Sequence, residues 1–292
     1  AEQATDETLP TVSGLTMRIP HQLPAAHLGE FAQDWPTDER EMIVLIEPLP
    51  AKQYDAAARL ADASRRALEL WRAGAPSILL PSPWTNPEEE RPDPILAVWS
   101  ALGTLLENRI FDRVVPFAPG TTTWLLDGTA DAAPMLVAWR DGAGDATAAI
   151  HAKLADGPVT VIDVFGNRHR VPLVDNRHHI PLAELPVFIE GIDAALARFR
   201  EGLAISPASV PSLQKRHEHE LILHNPWPVM ITGSVRIAEP NDWDYLPRRH
   251  TFAIAPDETI RLPLSLTFGR AELTGPKQIV LDLALQADRP YR

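Results

Sequence analysis

The sequence predicts a multidomain chain, α/β plus all-β: a partial parallel α/β region followed by two antiparallel β-sandwiches. Three observations predict it. Near the start, a strand, a helix and a second strand follow one another within about forty residues, the βαβ unit of a parallel sheet. From about residue 111, short strand candidates recur every eight to twelve residues with Asp-Gly and Gly-Asn turns between them, as in antiparallel sandwiches. Prolines number 29 in 292 residues, about twice the usual share, which suits a chain with many strand ends and turns.

Taken in order, residues 14–19 read as a short strand and 24–35 as a helix. The run 42–46, MIVLI, is apolar throughout, as expected of a strand buried on both faces, and Pro48 and Pro50 end it. A long helix is expected over 52–73. Tyr54, Ala57, Ala61, Leu68 and Trp71 fall on one side, and Asp55, Arg59, Asp62, Arg66 and Glu69 on the other. Gly74 is placed to cap it. A buried strand at 77–80, an acidic proline-rich loop at 86–94 and a helix over 95–109 complete the first region, 1–110. The second, 111–205, offers strands at 121–126, 135–139, 147–154, 159–164, 169–173 and 178–181, then a helical linker at 194–202. The third, 206–292, opens on a proline-bearing hinge. Strands at 218–224, 229–238, 250–254, 259–268 and 277–287 suit an immunoglobulin-like sandwich without its disulfide.

Composition excludes several classes. A formal charge of −12 opposes nucleic acid, whose binders carry basic stripes. No apolar run approaches eighteen residues, so no membrane span is expected. The chain has no cysteine, which removes disulfide frameworks, thiolate zinc sites and cysteine nucleophiles. No phosphate-binding loop, dinucleotide fingerprint, His-Glu-x-x-His or Gly-x-Ser-x-Gly elbow occurs, so no cofactor is expected. His217 and His219 alternate with Glu218 and Glu220, and His178-His179 lies across a hairpin from Arg168-His169-Arg170. No third metal ligand accompanies either pair, so these read as solvated strand faces and no metal site is expected. Trp124 and Trp139 lie in strands and read as core. Trp227 and Trp243 lie beside prolines or aspartates, as exposed rings on turns do.

Three segments in the second region carry a resemblance: MLVAW at 135–139, VTVIDVFGN at 159–167 and IPLAELPVFIEG at 180–191. With their Asp163-x-x-Gly166-Asn167 hairpin and closing Leu185-Pro-Val-x-Ile-x-Gly191 strand, they resemble the sandwich appended to (β/α)8-barrel glycoside hydrolases. LGTLLEN at 102–108 resembles the final barrel helix. LHNP at 223–226, GSVRI at 233–237 and PNDW at 240–243 resemble immunoglobulin-like modules of bacterial carbohydrate enzymes. The resemblance implies that the first region is barrel-like but partial, since a whole barrel needs about 200 residues or more and eight strands.

It also implies candidate residues. Glu47, at the C-terminal end of a buried strand, would stand where such enzymes place the nucleophile; a local arginine partner or a turn cap is the other use. A retaining pair needs a second carboxylate about 5–5.5 Å away, and the chain has no Asn-Glu dipeptide to offer for it. Trp84, Trp243 and Tyr245 are the candidates for stacking on sugar rings, with packing as the alternative for each.

The expected function is therefore a non-catalytic accessory or scaffolding chain of glycoside-hydrolase-like ancestry, associated with carbohydrate. One alternative is a subunit of a split retaining glycosidase completed by another chain. A second is a structural or adhesive protein of a filament or surface layer. A glycan or another protein chain covering the open α/β edge is the expected partner, with oligomers among the options. Export to the cell surface, the periplasm or the medium is expected from the resemblance and from a first residue, Ala1, that is not methionine.

Overall fold

The computed structural model describes residues 14–33, 41–80, 84–86, 91–142, 148–211, 213, 215–240, 242–269, 275, 277 and 279–291. Strands β1 (Gly14–Ile19), β2 (Glu41–Ile46) and β3 (Ser77–Leu79) form a parallel sheet in the order β1-β2-β3. Between β1 and β2 lies the short helix α1 (Leu28–Gln33) behind a 3-10 turn at Ala25–His27; between β2 and β3 lies α2 (Ala56–Arg72). Trp35, expected within the first helix, lies outside the described residues. The Asp55 carboxylate accepts from the Ala58 N–H at 2.8 Å and starts α2 four residues later than the pattern suggests. The hairpin β4 (Trp84–Asn86) and β5 (Arg91–Pro92) precedes α3 (Ile95–Leu106).

Helix α3 stops at Leu106, not 109, because Arg109–Val114 is strand β6, which the sequence pattern does not announce. The boundary expected at 110/111 therefore falls inside a strand. β6 is the edge of a six-stranded antiparallel sheet ordered β11-β10-β13-β8-β7-β6. Its other members are β7 (Thr121–Gly128), β8 (Met135–Arg140), β10 (Val159–Asp163), β11 (Arg168–Val171) and β13 (Val187–Glu190). β9 (Ala149–Ala152) and β12 (His178–Pro181) form a separate ribbon.

Both faces of the central strands of the six-stranded sheet are buried. Trp124, Leu126, Val137, Trp139, Ile162 and Phe188 join one core with Val44, Leu60, Leu68 and Val98 of the α/β layer. Their neighbours of opposite pleat, Leu125, Leu136, Ala138, Val161 and Ile189, join a second core with Ile150 and Ile180 of the ribbon and Ala197 of α4 (Ala194–Glu201). Period-two alternation explains the division. It also explains why 135–139 is apolar at every position in an antiparallel strand, where one wet face is usual.

The same arrangement buries helix α2 nearly all round. Arg66 and Glu69, on the side expected to be polar, are 0% and 8% exposed: Arg66 lies against the ends of β1 and β2, and Glu69 pairs with Arg72, whose guanidinium lies over Trp124 of the six-stranded sheet. Arg65 crosses to that sheet, donating to the carbonyl oxygens of Glu184 (2.9 Å) and Arg140 (2.8 Å).

The C-terminal part is two four-stranded sheets around a shared core. One is ordered β14-β15-β19-β17, the other β18-β16-β20-β21. The strands are β14 (Ala204–Ser206), β15 (His217–His224), β16 (Ile231–Glu239), β17 (Asp244–Leu246), β18 (Arg249–Ile254), β19 (Thr259–Thr267), β20 (Val280–Gln286) and β21 (Pro290–Tyr291). Leu221, Leu223, Val235, Phe252, Ile254 and Leu285 fill the space between them, with Phe199 of α4 inserted at one end. Asn225, fully buried, turns the chain between β15 and β16: its side-chain amide serves the carbonyls of Val229, Ile254 and Ala255, and its Oδ1 accepts from the Trp227 N–H. Gly233 is required where β16 meets β20, since a Cβ there would lie 2.4 Å from the Ala284 carbonyl oxygen.

Candidate functional site

The C-terminal ends of the parallel strands form the first candidate. Glu47 follows the last residue of β2. Its N–H donates to the Ile19 carbonyl at 3.0 Å, continuing the ladder to β1. Its own carbonyl accepts from Arg66 Nη1 at 2.7 Å, while Arg66 Nη2 donates to the carbonyls of Ile19 (3.1 Å) and Pro20 (2.6 Å). One buried guanidinium thus clamps the ends of β1 and β2. Burial pushes the Arg66 pKa below its ordinary value against the opposing pull of Asp62 and Glu47; arginine nevertheless stays charged. Asp62, 3.7 Å from Arg66 Nη1, has its carboxyl pushed up by burial, with Arg66, Arg65 and His21 opposing.

The Glu47 carboxylate is 35% exposed and lies 3.6 Å from Arg18 Nη1. Farther along the same loop, Arg59 donates to the Leu49 carbonyl (3.1 Å) and pairs with Asp93 (2.9 Å), which also accepts from the Ile95 N–H at the start of α3. The carboxyls of this end, Glu47, Asp62 and Asp93, are thus each held by a different arginine. Trp84 opens β4 opposite Pro92; its side chain lies outside the described residues.

Other predicted site residues lie elsewhere and inside. Trp243 and Tyr245 are 6% and 4% exposed, packed with Leu264 and Leu266 in a small core, and Trp243 is 5.7 Å from the Phe268 ring. A ring so enclosed presents no face to a sugar, so the exposed platform expected from the Asn-Asp-Trp-Asp context is corrected to a core plug. Trp227 is likewise interior at 4%, between Phe199 and Tyr291. Trp124 and Trp139 are core, meeting edge to face at 4.8 Å.

The histidines are also corrected. His217 and His219 do share one strand face, but it is the buried one. His217 Nε2 lies 2.8 Å from the Leu213 carbonyl and its ring stacks on Phe268; His219 Nδ1 lies 2.9 Å from the Pro207 carbonyl. His178 is fully buried; its Nδ1 accepts from the Leu154 N–H at 3.1 Å, which leaves Nε2–H to donate to the Gly157 carbonyl at 2.9 Å. Each ring closes a loop onto a strand. Among the described residues no three His, Asp or Glu side chains converge as a metal site would require. Nor is any described helix long and apolar enough to cross a membrane.

Sequence reasoning missed a cleft of about 890 Å³ between the ribbon, α4 and the C-terminal sheets. His151, Lys153, Arg177 and Arg200 line it on one side, Val280 to Leu283 on the other. Its walls come from segments far apart in sequence, so no local motif marks it.

No protein-family model matches the chain, and no curated protein matches it. Among solved structures, a family 39 glycoside hydrolase from the gut symbiont Bacteroides cellulosilyticus WH2 is similar at a TM-score of 0.43 and 16% identity. The match covers 56% of this chain and 37% of that one, so the chain spans well under half of that neighbour, and a likeness this weak decides nothing about activity.

Proposed function

We propose that this chain is a non-catalytic accessory or scaffolding element of glycoside-hydrolase-like ancestry that associates with carbohydrate in an exported system. The observation that carries the reading is the Arg66 clamp. In a working barrel the strand ends aim catalytic side chains into a cleft; here a fully buried guanidinium ties the carbonyls of Ile19, Pro20 and Glu47 together. The segments behind the resemblance support the ancestry, because they fold as β8, β10 and β13, neighbours in one sheet. Asp163 holds its hairpin by accepting from the N–H groups of Phe165 and Asn167, with Gly166 at φ 85°.

One observation favours the split-glycosidase reading. Among the described residues β1 and β3 pair only with β2, and Leu79 is 48% exposed. A complementing chain would extend that sheet. The test is affinity electrophoresis of the whole chain in a panel of soluble polysaccharides, run beside a reducing-sugar assay. Retarded migration without sugar release is expected. Release of sugar that Glu47→Gln abolishes would overturn the non-catalytic reading, and unretarded migration in every polysaccharide would overturn the carbohydrate association.

A further inference from the structure

We infer that the cleft between the ribbon and the C-terminal sheets is a docking site for an extended acidic peptide, added as a strand along the open edge of β20. The lining shows that a backbone edge, not a sheet face, borders the cleft. Side chains of a strand alternate between its two faces, so a face lines a cavity with every second residue. Here five consecutive residues, Ile279 to Leu283, line it. On one side β20 is paired with β16 over its whole length; on the other, β21 reaches only Leu285 and Gln286. The stretch from Val280 to Ala284 therefore has no second strand partner among the described residues.

Two further edges border the same space. Among the described residues β14 pairs only with β15; its Ala204 and Ile205 and the preceding Leu203 line the cleft. Among the described residues β9 pairs only with β12, and its His151 and Ala152 line the cleft, followed by Lys153 and by Leu154, whose N–H and carbonyl are taken by His178 Nδ1 and the Asp193 N–H. A cleft of about 890 Å³ bounded by unpaired strand edges has the form that strand addition uses, with main-chain bonds supplying affinity and pockets for alternate side chains supplying selectivity.

Charge selects the class of peptide. In a chain of net charge −12, this lining carries Arg177, Arg200 and Lys153, the last paired with Asp156 at 2.7 Å, against the carboxylates of Asp193 and Asp282. Both carboxylates are already engaged, Asp193 by Arg289 and Tyr291 and Asp282 by Arg236. Arg200 donates to the neutral carbonyls of Pro116 and Phe117 and so keeps its charge uncompensated by them. A glycan is the poorer fit. The aromatic rings in the lining are those of Phe117, already covered by Arg200 at 4.7 Å, and Tyr291, 3% exposed. Neither offers a free face for a sugar.

The experiment measures fluorescence anisotropy of the whole chain with a labelled peptide of alternating valine and glutamate. Three further probes are the same peptide with lysine for glutamate, the glutamate peptide N-methylated at alternate residues, and an acidic oligosaccharide. Expected are binding of the glutamate peptide at least tenfold tighter than the other three and slower hydrogen exchange over 279–284 when it is bound. The double variant Lys153→Glu, Arg177→Glu should weaken it at least tenfold. Because the chain has no cysteine, Ala204→Cys carries a unique label at the cleft, and a bulky maleimide there should weaken binding at least tenfold relative to the same variant unlabelled. No binding of the glutamate peptide, equal binding of the N-methylated or lysine form, or preference for the oligosaccharide would each overturn the proposal.

Discussion

Arg66 Nη1 donates to the carbonyl oxygen of Glu47 at 2.7 Å, so a helix side chain fixes the backbone of the residue best placed for chemistry. Replacing that guanidinium by an apolar chain of similar length removes this donor from the carbonyls of Glu47 and Pro20, leaves the Ile19 carbonyl with the Glu47 N–H alone, and strands Asp62 without its arginine. Arg66→Met is expected to cost about 3 kcal/mol or more, read as a lower urea midpoint. A midpoint within error of the parent would show that the clamp is dispensable.

Trp124 joins the α/β layer to the six-stranded sheet. It packs edge to face with Trp139 (4.8 Å) and Phe111 (5.7 Å), and the Arg72 guanidinium lies 5.1 Å from its ring centre. Trp124→Ala is expected to cost about 3–5 kcal/mol, the usual range for emptying a packed aromatic site. Hydrogen exchange should then quicken in α2 and β2 more than in β15 and β19, whose core is separate. Equal acceleration throughout would mean that the chain unfolds as one unit.

What could be seen in the sequence was whatever depends on local pattern. The apolar run of β2, the turn glycines and the period-two strands gave the parallel region and the antiparallel sheets. The strand β6 escaped because Asp112 and Arg113 interrupt its pattern; their partners, Arg198 and Glu201, lie on α4, more than eighty residues away. The choice between stacking and packing for Trp243 stayed open for the same reason. Its neighbours in sequence are polar, while the residues that enclose it, Leu264, Leu266 and Phe268, belong to another strand and its end. Arg66 looked like a solvent-facing helix residue because nothing local says that the ends of β1 and β2 lie against that side of α2. The arginine clamp and the cleft both depend on long-range packing, and both were invisible for that reason.

Glu69 gives a pH dependence. Its carboxylate accepts from Arg72 Nε (3.0 Å) and Nη2 (2.7 Å), yet burial outweighs that partner and raises its pKa above the ordinary 4.5. The folded chain therefore binds this proton more tightly than the unfolded chain does. Stability from this group is fully present below pH 4.5 and declines as pH rises through the raised value. Glu69→Gln keeps the shape without the charge. From pH 4.5 to 7, the urea midpoint of the variant should rise relative to that of the parent. A constant difference across that range would count against the assignment.

Asp193 is the fastening between α4 and the last strand. Its Oδ1 accepts from the N–H groups of Ala195 and Leu196 at the start of α4, and its Oδ2 accepts from Arg289 and from the Tyr291 hydroxyl at 3.0 Å. The same phenolic proton is shared with Asp288 Oδ1 at 3.1 Å. Burial first, with Asp193 adding to it, pushes the Tyr291 pKa up to about 12. Absorbance titration should therefore show one of the three tyrosines ionising near pH 12, and Tyr291→Phe should remove that late step. The same variant leaves a charged acceptor with one donor fewer and should cost about 1.5–3 kcal/mol. Asp193→Asn retains an oxygen for the helix start but weakens the bonds to Arg289 and Tyr291, so it should bring the tyrosine's ionisation down toward pH 10. If the late step survives in both variants, the hydroxyl is not held by this carboxylate.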